Sequence, residues 1–277
     1  MRLSIVTINR NNAVGLEKTL RSVASQTIKE FEYIVVDGAS TDGSVDVIKK
    51  LESEFAYLKW VSEPDKGIYN AMNKGIRMAT GDFIQILNSA DCLASDDVTE
   101  RMLESLEKED RPSILYGNMV KCFPDGHRMV DKCFAGQEIT MFGMYTGTLN
   151  HDSAYIRRDL FEKYGYYDES LKIVSDWKWY MQAIVLGGEK PRYVDIDVTL
   201  FDMSGISENS ENKEMIRKER RTVLEKLIPS VYLRDYDRYA NDIVLMRRIH
   251  RYPWAYKMVR IVERCVFKME KSKKVLR

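Results

Sequence analysis

Apolar residues in the N-terminal part of the chain alternate between short continuous runs, typical of buried strands, and longer stretches with helical spacing. The predicted elements are a strand at Leu3–Ile8, a helix over Val14–Ala24, a strand at Tyr33–Val36, a helix over Ser44–Phe55, a strand at Tyr57–Val61, a helix over Ile68–Ala79 and a strand at Phe83–Leu87. Strands that alternate with helices in this way predict an α/β fold with a mostly parallel sheet covered by helices on both faces.

Polar residues follow each predicted strand, at the edge where the carboxyl ends of parallel strands meet. Ligands of such sheets bind beyond that edge. The polar segments are Thr7 to Asn11, Asp37 to Asp42, Glu63 to Gly67 and Asn88 to Asp91. Each has a structural alternative, because residues such as Asp42 and Asp65 are also suited to cap the helix that follows. The four segments together favour a binding site.

The composition describes a chain that folds and has no bulk charge to attract a partner. Its 277 residues are 44% hydrophobic, and 43 Lys and Arg nearly balance 42 Asp and Glu. These values suit one large domain with an extension. The four cysteines form no CxxC pair, which favours a reducing compartment. The sequence shows neither a signal-peptide core nor a run of roughly 18 apolar residues, so we expect a cytoplasmic protein.

The C-terminal tail is an exception to the even charge distribution. From Val244 to Arg277 it has eleven Lys or Arg against two acids, interleaved with residues such as Trp254 and Phe267. A basic amphipathic helix of this kind predicts peripheral contact with the inner face of the cytoplasmic membrane. The alternative is packing on the core or on a second subunit, as in a homodimer. No recognised nucleic-acid-binding motif accompanies the basic residues, so no nucleic-acid partner is expected.

Several motifs follow one another in a specific order. They are SIVTIN at Ser4–Asn9, VVDGASTDGS at Val35–Ser44, SEPDKGIYNAMNKG at Ser62–Gly75, and ATGD at Ala79–Asp82 leading into LNSAD at Leu87–Asp91. With this ordered set the chain resembles the inverting glycosyltransferase family 2 over roughly its first 210 residues. Later segments resemble the branch that assembles bacterial surface polysaccharides: Leu115–Asn118, Asn150–Ser153, Gly165–Asp168 and Ser175–Trp177.

The resemblance implies a GT-A, Rossmann-like fold and transfer from a nucleotide-sugar donor, with a UDP-sugar favoured, to a saccharide or lipid-linked saccharide acceptor. It also implies a divalent cation, Mg²⁺ or Mn²⁺, at Asp91, because hard oxygen ligands hold such ions beside a departing diphosphate. Asn88 and Ala90 stand where the family often has further acids, so diphosphate and water would supply most ligands. The implied nucleotide contacts are Thr7, Asn9, Asp37, Asp42, Asp65, Lys74 and Ser89.

Inversion requires a base that removes the proton of the acceptor hydroxyl. Asp176, at the start of a predicted helix, matches the family's catalytic aspartate; stabilisation of the helix dipole is the structural alternative. His151 lies where this branch often has a histidine beside the donor sugar. It is a second catalytic candidate, which could contact the sugar or the metal or be structural.

The predicted organisation is a transferase domain over residues 1–208 and a helical extension over 209–277. The domain comprises a nucleotide-binding half, 1–91, and an acceptor and catalytic half, 92–208. A glycine-containing stretch, Met203–Ser207, resembles the family's mobile loop. A noncatalytic relative that binds sugar nucleotides or partner proteins is the alternative function. A dinucleotide-dependent oxidoreductase is disfavoured, since no Gly-x-Gly-x-x-Gly turn follows the first strand.

Overall fold

The computed structural model describes residues 2–107, 111–203 and 210–275 of the chain. The chain separates into two compact units, Met1–Arg221 and Thr222–Arg277. This division falls inside a helix, and the start of an extension at residue 209 remains a sequence-based prediction. The predicted loop Met203–Ser207 lies, apart from Met203, outside the described residues.

The described strands of the first unit form one sheet in the order β3-β2-β1-β4-β8-β6-β9-β5, with β7 paired to β6. The strands are β1 (Leu3–Asn9), β2 (Glu32–Asp37), β3 (Leu58–Ser62), β4 (Phe83–Ile86), β5 (Cys92–Leu93), β6 (Ile114–Cys122), β7 (Arg128–Asp131), β8 (Ala154–Arg157) and β9 (Arg192–Asp202). The first four pair in parallel, in register Asn9 with Asp37 and Asp37 with Ser62. Their carboxyl ends therefore meet at one edge, as predicted.

The helices connect and cover these strands. They are α1 (Ala13–Ala24), α2 (Ser44–Leu51), α3 (Ile68–Met78), α4 (Val98–Glu107), α5 (Met141–Thr146), α6 (Asp159–Tyr164), α7 (Ser175–Tyr180), α8 (Lys213–Leu227), α9 (Ser230–His250) and α10 (Pro253–Val275). Short 3₁₀ turns span Glu52–Glu54 and Ser210–Asn212, and α7 continues as a π-helix over Met181–Leu186.

Strand β1 shows why the sheet is covered on both faces, since it is buried along its whole length. Side chains alternate along a strand, so Ile5 lies on one face, in the same core cluster as Leu16 and Leu20 of α1. Val6 lies on the other face, against α3. A Cβ on Gly75 of α3 would come 2.2 Å from Val6 Cγ1, so only glycine permits this helix to lie so close to the sheet.

The second half of the sheet is mixed. Strand β8 is antiparallel to both β4 and β6, β5 is antiparallel to β9, and β6 runs parallel to β9. The α/β class predicted from the sequence is confirmed. The parallel pattern holds for the first four strands, where each connection contains a helix, and antiparallel pairs appear beyond β4.

The second unit contains the end of α8 and the helices α9 and α10. The chain turns at Arg251 and Tyr252, and α10 begins at Pro253, whose missing N–H makes it well suited to the first helical position. The His250 and Tyr256 rings meet edge to face across this turn, with centroids 4.2 Å apart. No helix in the described parts of the chain is long and apolar enough to cross a membrane.

Candidate active site

A cavity of about 540 Å³ opens at the carboxyl edge of the parallel strands, within the first unit. This volume suits a ligand of small-molecule size. Polar and charged side chains line much of it: Asn9, Arg10, Asn12, Asp65, Asn88, Ser89, Asn150, His151, Asp152, Lys172, Asp176 and Asp202. Five of the residues singled out in the sequence are among them, namely Asn9, Asp65, Ser89, His151 and Asp176.

Asp176 lies in the first turn of α7 and has both carboxylate oxygens engaged. His151 Nδ1 is 3.2 Å from Asp176 Oδ2, and the Tyr69 hydroxyl is 2.9 Å from Asp176 Oδ1. The same Tyr69 hydroxyl is also within hydrogen-bond distance of the Ile173 carbonyl oxygen. Because one hydroxyl carries one proton, Tyr69 donates to only one of these two acceptors at a time.

The His151–Asp176 contact is an ion pair at neutral pH. Burial lowers the pKa of His151, but the adjacent Asp176 carboxylate outweighs burial and raises it to about 9. Burial raises the pKa of Asp176, but the hydrogen bond from His151 outweighs it and leaves that pKa below its usual value. Burial and the Asp176 charge together raise the pKa of Tyr69 well above its usual value, so Tyr69 keeps its proton.

Asn88 completes the surroundings of the imidazole. Its amide lies 3.2 Å from His151 Nε2. In the orientation in which Nδ2 faces the ring, Asn88 Oδ1 is buried and has no partner in the described parts of the chain. A protonated His151 donates from both ring nitrogens. The opposite, isosteric amide orientation presents Oδ1 to His151 as an acceptor. Asn88 therefore suits the protonated form of His151.

Elsewhere in the cavity wall, Asn9 and Asp65 follow the ends of β1 and β3. Asn9 Nδ2 donates to Asp37 Oδ1 at 2.8 Å, while Asn9 Oδ1 is buried and has no partner among the described residues. Buried polar atoms are nearly always hydrogen-bonded, so this oxygen is suited to accept a hydrogen bond from a ligand N–H or O–H. Asp65 Oδ1 accepts a hydrogen bond from Lys74 at 2.6 Å.

Three of the predicted nucleotide contacts have internal partners instead. Asp37 is completely buried and accepts hydrogen bonds from Asn9, from the Ser40 backbone and hydroxyl, and from the Ser62 hydroxyl. Thr7 is also completely buried, with its hydroxyl 3.0 Å from the Tyr33 hydroxyl. Asp42 accepts from the Ala13 and Ser44 backbone N–H groups, at the starts of α1 and α2.

Lys74 is held by acids next to the cavity. Its ammonium group lies 2.6 Å from Asp65 and 2.8 Å from Glu63. Burial lowers the pKa of Lys74, but these two carboxylates outweigh it and raise that pKa. By contrast, Arg10 and Lys172 line the cavity without an ion pair to any described residue. These two cations are therefore better placed to meet a ligand's negative charge.

Asp91, the expected metal ligand, is 4% exposed, and its Oδ1 accepts a 2.9 Å hydrogen bond from the Asp202 backbone N–H. Burial and the charge of nearby Asp152 raise the pKa of Asp91 well above its usual value. Burial likewise raises the pKa of Asp152. Within the described ranges, no three His, Cys, Asp or Glu side chains have the spacing of a metal site. The protein alone therefore offers a cation few ligands.

Four residues near Asp176 were not assigned roles from the sequence: Tyr69, Asn88, Glu219 and Arg220. Tyr69 lies inside the SEPDKGIYNAMNKG motif, whose match to the family could have drawn attention to it. Glu219 and Arg220 belong to a helix that is rich in charged residues. The sequence therefore does not distinguish these two from their charged neighbours. Arg220 lies over the Trp177 ring at 4.9 Å, and its buried Nε has no hydrogen-bond partner among the described residues.

The sheet order, and the cavity at the ends of its parallel strands, define a mixed α/β protein of the GT-A type. The model of the family "Glycosyl transferase family 2" matches residues 4–165, and the chain belongs to this family. An uncharacterised glycosyltransferase of Mycobacterium tuberculosis is 30% identical over 227 residues, which are 79% of this chain and 82% of the relative. A PGL/p-HBAD biosynthesis glycosyltransferase of the same species is 24% identical over 249 residues, covering 89% and 95%.

Solved structures show the same fold at lower identity. The structure of S. aureus TarS 1–349 in complex with UDP-GlcNAc has a TM-score of 0.62 and 22% identity over 73% of this chain and 58% of that chain. The mannosyltransferase PcManGT from Pyrobaculum calidifontis, in complex with GDP-Man and Mn²⁺, has a TM-score of 0.56 and 18% identity over 72% and 56%. The chain therefore spans less than two thirds of these solved chains.

Proposed function

We propose that this protein is an inverting glycosyltransferase of the hexosyltransferase type. It would move a sugar from a nucleotide-sugar donor, with UDP favoured, to a saccharide or lipid-linked saccharide acceptor in polysaccharide or glycolipid biosynthesis. The observation that carries the proposal is the placement of Asp176 in the wall of the same cavity that holds Asn9 and Asp65 at the strand ends. One cavity thus offers a base and a separate polar surface for a nucleotide.

The nucleotide is assigned to the side formed by the ends of β1 and β3. Asn9 Oδ1 is the free acceptor there, and Asp37 holds the other end of the Asn9 amide in place. Arg10, next to Asn9 and without an ion pair among the described residues, is assigned to the diphosphate. In this proposal Asp37, Thr7 and Asp42 act by fixing the strand ends. Asp65 and Ser89, which line the cavity, remain direct contacts, and Lys74 orients Asp65.

Asp176 is assigned as the base that takes the proton of the acceptor hydroxyl. Its two oxygens are engaged by His151 and Tyr69, and loss of one of these hydrogen bonds would make the carboxylate a stronger base. Tyr69 has a second acceptor in the Ile173 carbonyl and is the group that can turn away. His151 then remains paired with Asp176 and places an imidazolium charge beside the cavity, where it would stabilise the departing diphosphate.

A divalent cation, Mg²⁺ or Mn²⁺, is proposed to enter with the diphosphate. The donor set agrees with this, because Asp91 is buried and the charge of Asp152 helps to raise its pKa, a repulsion that a cation would relieve. Asp91 would be its protein ligand, and diphosphate oxygens and water would supply the others. When bound, the cation would neutralise the leaving group's charge.

The second unit is proposed to make a peripheral contact with the cytoplasmic face of the membrane. Helix α10 exposes Trp254, Met258 and Val262 at a spacing of four residues, with exposures of 71, 56 and 57%. Basic residues follow along the neighbouring face: Lys257, Arg260, Arg264 and Lys268. An exposed apolar stripe bordered by cations suits an anionic lipid surface, where a lipid-linked acceptor would lie. A homodimer is the alternative use of this stripe.

The proposed function is tested by release of the nucleoside diphosphate, UDP or GDP, from a panel of UDP- and GDP-sugars, with a lipid-linked or free oligosaccharide acceptor and Mn²⁺ present. We expect turnover with at least one UDP-sugar, and product of inverted anomeric configuration. Thermal melting with each nucleotide establishes donor binding independently of turnover, because a ligand of the folded state raises the melting temperature. Nucleotide binding without transfer to any acceptor would favour the noncatalytic alternative.

A further inference from the structure

Glu219, on α8, binds the loop that leads into α7. Its carboxylate accepts hydrogen bonds from three consecutive backbone N–H groups: Lys172 at 2.7 Å, Ile173 at 3.0 Å and Val174 at 3.3 Å. Among the described residues, no side chain caps α7 at Val174, and Glu219 instead binds the N–H groups of the loop that ends at this residue. The part of α8 that contains Glu219 belongs to the first unit, together with the cavity.

The loop held by Glu219 reaches the cavity at two points. Lys172 and Ile173 both line it, and the Ile173 carbonyl lies within hydrogen-bond distance of the Tyr69 hydroxyl. That hydroxyl also contacts Asp176 Oδ1. Tyr69 can therefore donate to the Ile173 carbonyl instead of to Asp176 only while that carbonyl stays in this position.

We propose that Glu219 is a positioning residue for sugar transfer: it fixes residues 172–174 so that the Ile173 carbonyl can take the Tyr69 hydroxyl away from Asp176 as the acceptor binds. This inference rests on the proposed function. In a chain without the Glu219 carboxylate, the loop moves, the Ile173 carbonyl leaves Tyr69, and Tyr69 donates to Asp176 permanently. The retained hydrogen bond then keeps the basicity of Asp176, the proposed proton acceptor, low.

The first test uses Glu219→Ala, with Glu219→Gln as a milder variant and Glu214→Ala as the control. Glu214 lies on the same helix but is exposed and pairs only with Arg217 and Lys218 among the described residues. Misplacing a reacting group by about 1 Å lowers the rate about 10²-fold, and we expect a loss of that order in kcat/KM for Glu219→Ala. Glu214→Ala should stay within about twofold of the wild-type rate.

A double-mutant cycle with Tyr69→Phe separates positioning from general damage to the fold. In the Tyr69→Phe background, no Tyr69 hydroxyl can donate to Asp176 Oδ1. Glu219→Ala should therefore lower kcat/KM less than about tenfold in this background. An equal loss in both backgrounds would overturn the inference. If the wild-type protein transfers sugar and Glu219→Ala does so equally well, the inference is overturned and the proposed function stands. If the wild-type protein transfers no sugar, the proposed function fails as well.

Hydrogen exchange tests the contact without any activity. The amides of Lys172, Ile173 and Val174 should exchange slowly in the wild-type protein and in Glu214→Ala, and at least about tenfold faster in Glu219→Gln. The Gln variant keeps the length of the side chain and loses the negative charge. Unchanged protection in both Glu219 variants would show that the loop is held by other contacts and would contradict the inference.

Discussion

His151 Nδ1 lies 3.2 Å from Asp176 Oδ2, on a side of the carboxylate that Tyr69 does not reach. The pair combines a cation at the cavity with the carboxylate assigned as base. The His151 imidazolium lowers the basicity of Asp176. The Asp176 carboxylate is therefore ionised at neutral pH but is not a strong base. The catalytic assignment therefore depends on proximity to the acceptor hydroxyl and on release of Tyr69.

Replacing Asp176 by Asn should lower kcat by about 10²- to 10⁴-fold, the usual contribution of a general base. Donor binding should persist, because the nucleotide is assigned to Asn9, Arg10 and Asp65 and not to Asp176. Thermal melting with UDP and a transfer assay measure the two separately. Asp159→Asn is a matched control, since Asp159 is also in the first turn of a helix but is exposed and paired with Arg157. Full activity of Asp176→Asn would remove Asp176 as the base.

The His151–Asp176 pair should make folding stability depend on pH. The pKa of His151 rises from 6.5 to about 9 on folding, so its stabilisation is complete below about pH 6.5 and is lost as the pH rises through 9. The lowered pKa of Asp176 has the opposite sign, and its contribution is lost only as the pH falls below the usual value of 3.8. We expect the wild-type melting temperature to fall between pH 6.5 and 9.5.

The His151→Gln variant should lack most of that fall. His127→Gln, which changes an exposed histidine at the β6–β7 turn, should retain it. Melting temperatures of the three proteins across this pH range measure the difference. A parallel fall in His151→Gln and in the wild type would show that other groups cause the pH dependence.

Replacing Asp91 by Asn should abolish metal-dependent nucleotide binding and leave the fold intact. The Asn side chain keeps an oxygen for the Asp202 backbone N–H and removes a buried charge that Asp152 opposes. We expect the basal melting temperature to change little, and the additional shift given by Mn²⁺ with UDP to disappear. Titration of UDP with and without Mn²⁺ measures this. A Mn²⁺ effect that survives in Asp91→Asn would place the cation elsewhere.

Replacing Arg220 by Met should shift the acid limb of the pH–rate profile to higher pH. The buried Arg220 guanidinium lies over Trp177, and its positive charge interacts favourably with the Asp176 carboxylate. Loss of a nearby cation raises the pKa of a carboxyl group, and we expect the acid limb to move in that direction. Arg217→Met, one turn earlier and exposed, is the control. An unmoved acid limb would separate Arg220 from the base.

Binding of the second unit to membranes should require both its cations and its apolar stripe. Changing Lys257, Arg260, Arg264 and Lys268 to Gln should abolish sedimentation with vesicles that contain anionic phosphatidylglycerol, and changing Trp254 and Met258 to Ser should weaken it about tenfold or more. Vesicles of phosphatidylcholine alone serve as the comparison. Retention of vesicle binding in both variants would place the membrane contact elsewhere, and a monomer–dimer change without vesicle binding would favour a subunit contact.

The sequence predicted the fold well in places where neighbouring residues determine the structure. The alternation of buried strands and amphipathic helices up to Phe83 reflects periodicities of two and of about three to four residues, which are visible along the chain. The strand-end positions of Asn9, Asp65 and Ser89 followed from the same pattern, and the structure places all three in the cavity wall. No comparable local sequence pattern predicted the antiparallel pairing of β8 with β4 and β6.

By itself, then, the sequence determined the α/β class, the edge where polar residues collect, and the order of the motifs that identify the family. Only the tertiary structure decided that Asp37 and Asp42 are bound by internal donors, that Tyr69 is shared between Ile173 and Asp176, and that Glu219 reaches a loop far away in sequence. These relationships join residues through the packing of separate elements. Packing depends on the whole core, whereas helical and strand periodicity depends on a few adjacent residues.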